Sequence, residues 1–156
     1  MIKLTRGDLN QTVWASFDEL EKQRKWYVID AKNQTLGKVA EKAARILMGK
    51  DKVWNWDAQD AGDFVVILNA QKIKVTGNKL KNKLYFRYSG YKGNVKSATL
   101  EEMLQKKPEE VLKLAIKGML PKNKLRKHRL KRAKIFAGEQ HSFEHLNLQP
   151  VQLDGN

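Results

Sequence analysis

The residues of this chain that could do chemistry are chiefly its cations, which are concentrated in two windows without acids. Between Val111 and Gly138 there are ten Lys or Arg and no Asp or Glu, and eight of those ten lie within Lys122–Lys134. A second acid-free window, Phe64–Leu100, holds eight more, so the two windows contain 18 of the 31 basic residues. A block of like charges repels itself unless an anion lies against it, and a phosphate backbone is the usual anion. The pattern predicts a polyanion-binding surface.

The run Lys122–Lys134 is the strongest candidate for phosphate contact, because a solvated helix face normally mixes cations with acids. Leu125 and Leu130 are expected to anchor the run to the core, and most of its cations are expected to be exposed. The predicted contacts in and just before the run are Lys117, Lys122, Lys124, Arg126, Lys127, Arg129, Lys131 and Arg132. The alternative is that the run is only a solvated face.

In the second window, a glycine-bearing loop combines aromatic and basic residues. Tyr88 and Tyr91 could stack on unpaired bases while neighbouring cations hold phosphates. The alternative is that both tyrosines pack on the domain. The candidate contacts in this window are Lys74, Lys79, Lys81, Arg87, Tyr88, Tyr91, Lys92 and Lys96.

A third group of cations follows a helical repeat earlier in the chain. Lys38, Lys42 and Arg45 share one flank of a predicted helix, and Lys50 follows its end. Glu41 lies beside them, so this group is either a further RNA contact or a solvated helix face.

Acids and histidines give little sign of a catalytic or metal centre. Asp57, Asp60 and Asp63 recur at every third position, which favours turn and capping roles over a calcium loop. His141 and His145 are four apart, but Glu does not directly follow the first histidine as the zinc-protease motif requires. There is no cysteine, so thiolate chemistry is excluded. We expect no metal and no cofactor.

Two further classes of function remain as alternatives. A phosphate-handling or RNA-processing enzyme would need a glycine-rich loop after its first strand, and Asp30–Gly37 contains a single glycine. No small-molecule substrate is therefore expected. A surface for acidic membranes or proteins is the weaker alternative, because the amphipathic helices carry stripes typical of a core. No apolar run approaches the ~18 residues that span a bilayer, so no membrane partner is expected.

The elements that must position these residues alternate between strands and helices. Strands are predicted at Trp26–Asp30, Phe64–Leu68 and Leu84–Tyr88, and helices from Leu36 to Gly49 and from Pro108. This order predicts the α/β class: a single three-layer α/β/α domain around a mostly parallel sheet, with basic loops. The expected boundaries are an N-terminal extension at 1–24, the domain at 25–138 and a C-terminal extension at 139–156.

Seven short segments follow one another in the order and spacing of a known family. They are Trp26–Ala31, Leu36–Ala40, Met48–Lys52, Ala61–Ala70, Val75–Lys79, Ala115–Pro121 and Ile135–Gly138. Each is weak alone, but the ordered set is specific. From about Lys25 to Pro150, the chain resembles the bacterial-type ribosomal large-subunit protein L-thirteen family.

The resemblance implies a structural protein that binds large-subunit ribosomal RNA, contacts neighbouring large-subunit proteins and takes part in subunit assembly, without catalytic activity. It also implies a compact α/β fold and a place on a ribosome, in the cytoplasm or in an organelle. Two segments depart from the family pattern. Pro121–Lys127 lacks the usual glycine-containing turn, and Arg87–Asn94 lacks the usual two histidines, so histidine roles are not carried over.

Overall fold

The structure is a computed structural model that describes residues 16–52 and 59–153. The helices are α1 Phe17–Lys22, α2 Leu36–Met48, α3 Lys79–Asn82, α4 Leu100–Lys106, α5 Pro108–Met119 and α6 Leu125–Lys131, with a 3-10 turn at Ala70–Lys72. The strands are β1 Trp26–Asp30, β2 Phe64–Leu68, β3 Leu84–Tyr88, β4 Val95–Thr99, β5 Ala133–Ile135 and β6 Leu148–Pro150.

A four-stranded parallel sheet organises the domain in the order β5-β2-β1-β6. Strand β1 pairs with β2 along its whole length, from Trp26 beside Phe64 to Asp30 beside Leu68. The predicted α/β class, with a mostly parallel sheet flanked by helices, is confirmed. Strands β3 and β4 form a separate antiparallel hairpin.

Helix α2 forms because apolar residues recur at its helical period and can be buried on one face. Val39, Ala43 and Leu47 on that face are fully buried. The helix ends at Gly49, whose φ of 73° lies in the left-handed region that glycine adopts at low cost. Helix α5 packs against α2 and contributes Leu112 to the same core.

Aromatic side chains cover the face of the sheet that is turned away from helices α2 and α5. Since side chains alternate across a strand, Ile29 and Ile67 meet the helices whereas Trp26 and Phe64 point the opposite way. The rings of Trp26 and Phe64 stack at 4.2 Å, and Phe143 lies 5.3 Å from Trp26. The segment after β5 therefore closes this side of the sheet with ring contacts.

Both predicted extensions contribute described structure. Strand β6, in the segment expected as a C-terminal extension, adds an edge to the sheet, and the Val151 amide donates to Val28 O at 3.0 Å. Near the N-terminus, α1 is capped by Ser16 and buries Leu20. The elements of the fold thus reach beyond 25–138 at both ends.

We expect Gly62→Ala to lower the free energy of unfolding by about 2 kcal/mol, because the added Cβ would collide with the Leu47 carbonyl at the end of α2. The control is Gly118→Ala in α5, where a Cβ meets nothing within 4 Å. Replacing that helical glycine should raise stability by about 0.5 kcal/mol. Thermal melting distinguishes the two, and an unchanged melting temperature for Gly62→Ala would contradict the close approach of these backbones.

Candidate nucleic-acid interface

The basic run Lys122–Lys134 folds mainly as helix α6, and the helix divides its cations between two faces. Asn123 lies just before the helix, and its Oδ1 accepts a hydrogen bond from the Arg126 amide of the first turn at 3.1 Å. Arg129 is buried on the inner face and Leu130 packs on the core, as predicted for the leucine. The exposed side chains of the helix and its flank are Lys124, Lys127, His128 and Lys131. These four recur at the 3.6-residue period, so they form one outward face.

A partly buried carboxylate holds the inner cations. Asp60 Oδ1 and Oδ2 each lie 2.5 Å from a guanidinium nitrogen of Arg132, so the pair is bidentate. Arg129 Nε approaches Asp60 Oδ1 at 3.4 Å. Arg132 also donates to Leu47 O at 3.4 Å, which ties the helix to the end of α2. Bidentate pairing of this kind fixes the orientation of both groups.

Arg129 and Arg132 are therefore placed differently from what the sequence predicted. Both were expected among the exposed contacts, but only 3% and 6% of their surfaces are accessible. Both guanidinium groups point inward to Asp60. This pairing offsets the cost of removing the charged groups from water. Burial alone would raise the pKa of Asp60, but the hydrogen bonds and charges of Arg132 and Arg129 hold it below its usual value.

The β3–β4 hairpin presents its aromatic residues to solvent. Tyr88 is 60% exposed and Tyr91 is 76% exposed, so the alternative in which both pack on the domain is wrong. Arg87 and Lys96 are paired across the two strands and exposed, on the face opposite Tyr88. The hairpin can thus offer rings on one side and cations on the other. Lys92 is exposed at its tip.

The cations of α2 lie at the surface but differ in their surroundings. Lys38 and Arg45 are exposed and Lys42 is half-buried. Arg45 Nε lies 2.8 Å from Asp51 Oδ1, so its charge is partly neutralised by an exposed carboxylate. Lys50 lines a cavity of about 350 Å³ together with Lys122, which brings the end of α2 next to the start of the basic run.

Lys74 and Lys79 line one groove, and Lys83, which was not among the predicted contacts, joins them. The signal that could have identified Lys83 is its membership of the acid-free window. Lys81 is exposed on the same short helix α3, and Lys117 is exposed on α5.

Asp60 and Asp63 have structural partners, but these are cations and a distant backbone amide rather than the predicted turns and caps. Asp63 accepts from the Lys25 amide at 2.9 Å and from Lys52 Nζ at 2.6 Å. Asp57 lies outside the described residues, so its turn or capping role stays a prediction. His141 Nδ1 accepts from the Phe143 amide at 3.2 Å. Within 16–52 and 59–153, no three His, Asp or Glu side chains are grouped to hold a metal ion.

None of the helices in the described part of the chain is long and apolar enough to cross a membrane. Fold and surface together define a basic α/β protein whose exposed cations suit it to bind a polyanion. Residues 24–142 match the family described as ribosomal protein L13. The chain belongs to that family, as its sequence pattern predicted.

Bacterial relatives extend the match over most of the chain. A protein of Symbiobacterium thermophilum is 46% identical over 145 residues, which cover 93% of this chain and 100% of the relative. Proteins of Trichlorobacter lovleyi and Aquifex aeolicus are 50% and 47% identical, covering 82% and 85% of this chain and 89% and 92% of the relatives. All three are named "Large ribosomal subunit protein uL13".

Substitutions on the two faces of α6 should affect different properties, RNA binding for the outer face and stability for the inner face. Lys127→Gln with Lys131→Gln should leave the melting temperature nearly unchanged and flatten the slope of log K against log salt for RNA binding by about 1.5. The matched pair Arg129→Gln with Arg132→Gln should lower stability by roughly 3 kcal/mol, because the partly buried Asp60 carboxylate loses both of its cationic partners. Its salt slope, measured below the melting transition, should stay close to that of the parent protein. Equal effects of the two pairs on both properties would contradict the division.

Acid should erase the contribution of Asp60 to stability. A carboxyl whose folded pKa is depressed stabilises the fold above its unfolded value of 3.8, and this contribution is lost as pH falls through the lower, folded value. The Asp60→Asn variant has no carboxyl group at this position that could titrate. The difference in unfolding free energy between the parent and Asp60→Asn should therefore be largest near neutral pH and shrink below pH 3.8. Urea titrations at several pH values measure it, and a constant difference would refute this role of the ion pair.

Proposed function

We propose that this chain is a structural constituent of the large ribosomal subunit, that it binds large-subunit ribosomal RNA and that it supports subunit assembly. The observation that carries the proposal is the family match over residues 24–142, together with relatives whose names place them in the large subunit. Its role is non-catalytic.

The distribution of charge supports RNA as the ligand. The outward cations of α6, exemplified by Lys127 and Lys131, are exposed in a window without acids. Neutralising phosphates with such side chains releases counterions, which is the main source of affinity for a nucleic-acid backbone. The contacts that we propose are the exposed and half-buried members of the predicted set, with Arg129 and Arg132 acting through the position of α6.

The hairpin supplies the second kind of contact. The rings of Tyr88 and Tyr91 are exposed, while Arg87 and Lys96 lie on the other face. Ribosomal RNA offers both phosphates and unpaired bases, and aromatic rings stack on bases of any sequence. We propose that the hairpin inserts between RNA segments, with its cations on one and its rings on another.

The hairpin face that carries Tyr88 also has apolar side chains beside the ring, and these are available for protein neighbours next to the RNA. Leu84, Phe86 and Val95 are exposed beside Tyr88 on one face of the hairpin. Exposed apolar side chains grouped on one face are typical of interaction sites. Neighbouring large-subunit proteins are proposed partners. The three relatives named above come from bacteria, which supports a cytoplasmic ribosome over an organellar one.

Nearly all of the chain should sediment with the large subunit when a cell extract is fractionated on a sucrose gradient. Raising the salt concentration should release it, because cation–phosphate contacts weaken as salt rises. Immunoblotting of the fractions provides the measurement, and a known soluble enzyme provides the control. A pool that stays mainly at the top of the gradient at low salt would contradict the proposed function.

A further inference from the structure

A groove of about 400 Å³ opens between the start of α2, the C-terminal half of α5 and the segment 74–83. Lys74, Lys79 and Lys83 supply its charge, while Leu114, Gly118 and Met119 on α5 supply uncharged surface. No Asp or Glu is among the described residues that line it. Its volume falls within the range of roughly 300 to 1,000 Å³ in which proteins hold small ligands.

Backbone hydrogen bonds fix the chain that carries these lysines. Lys74 donates its amide to Gln34 O at 2.8 Å and accepts from the Leu36 amide at 3.0 Å, which joins it to the start of α2. Lys83 donates to Lys79 O at 3.0 Å and accepts from the Leu100 amide at 2.9 Å. The three lysines therefore extend from ordered backbone positions. Lys79 Nζ lies 3.4 Å from Thr76 Oγ1, and Lys83 Nζ lies 5.5 Å from the centre of the Tyr85 ring.

The uncharged part of the groove is partly open to solvent. Leu114 is 36% exposed and Met119 is 42% exposed, although both lie on a helix whose other face is in the core. Between them, Gly118 leaves space, since a Cβ there would meet no atom within 4 Å. An apolar surface of this kind, next to three cations, matches a ligand with a flat, weakly polar part and an anionic part.

We propose that one unpaired nucleotide of the bound ribosomal RNA occupies this groove, an inference that rests on the proposed function. Its base lies over Gly118 between Leu114 and Met119, and its flanking phosphates meet Lys74, Lys79 and Lys83. A paired base stays within its helix and cannot enter, so the groove selects a single-stranded position. A duplex backbone would use the lysines but leave the apolar part exposed, and an apolar peptide would leave three cations unneutralised.

A larger side chain in the groove tests whether the base binds there. Gly118→Leu puts an isobutyl group into the open space, and it should not lower the melting temperature because leucine favours the helix more than glycine does. Binding to large-subunit ribosomal RNA transcribed in vitro should weaken by about tenfold, because one base loses its apolar contact with Leu114 and Met119. The matched control is Gly138→Leu, where an added Cβ also meets nothing within 4 Å but the position lies outside the groove. The control should bind as the parent does.

Acylation of RNA 2′-hydroxyls locates the nucleotide. The parent protein should protect at least one unpaired nucleotide that Gly118→Leu leaves reactive. Replacing Lys74, Lys79 and Lys83 with Gln should expose the same nucleotide and flatten the salt slope by about two to three units.

Full affinity and full protection with Gly118→Leu would overturn the proposal. If the lysine variant binds weakly while Gly118→Leu binds normally, the groove holds phosphate alone, which also overturns it. In either case the parent protein still binds the RNA, so the proposed function survives. Failure of the parent protein to bind would instead refute the proposed function itself.

Discussion

The partly buried carboxylate of Asp60 determines which cations of the basic run face solvent. It holds Arg132 in a bidentate pair and Arg129 at 3.4 Å, so two charges of the run are used inside the protein. Removing one partner from such a group leaves an uncompensated charge in a medium that solvates it poorly. The helix therefore has one favourable rotation about its axis, and that rotation turns Lys127 and Lys131 outward. The phosphate-binding face that we propose on α6 therefore depends on an acid that lies on the inner side of the helix.

The fold resolves a conflict between its own stability and its function. A surface with a net charge of +14 repels itself, and this repulsion opposes compactness. The domain compensates with an apolar core between α2, α5 and the sheet, and with ion pairs that place Asp60 and Asp63 beside inner cations. The exposed cations are left where a phosphate backbone can neutralise them. The RNA binding that we propose would relieve the repulsion that the isolated chain retains.

The sequence predicted the strands and helices that have strong periodicity. Strands β1, β2 and β3 and helix α2 have the bounds that their patterns indicated. Strand β6 could not be found in this way, because three residues that include Pro150 carry no alternation and depend on pairing with β1. The charge pattern of the basic run does not predict the burial of Arg129, because the number of cations does not show which face of the helix each one occupies. At the helical period, Leu125, Arg129 and Arg132 share a face. The partner Asp60 lies about seventy residues away in the chain, and no local pattern joins the two.

Lysine reactivity in assembled subunits tests directly whether the exposed cations form the surface that contacts ribosomal RNA. The free protein and purified large subunits would be treated with an amine-acylating reagent, and modification would be measured by mass spectrometry. Lys74, Lys79, Lys127 and Lys131 are all exposed in the isolated chain, and we expect them to become protected in the subunit. Lys106 and Lys107, exposed outside the proposed surface, should remain reactive. Unchanged reactivity of Lys127 and Lys131 in the subunit would contradict contact between α6 and the RNA.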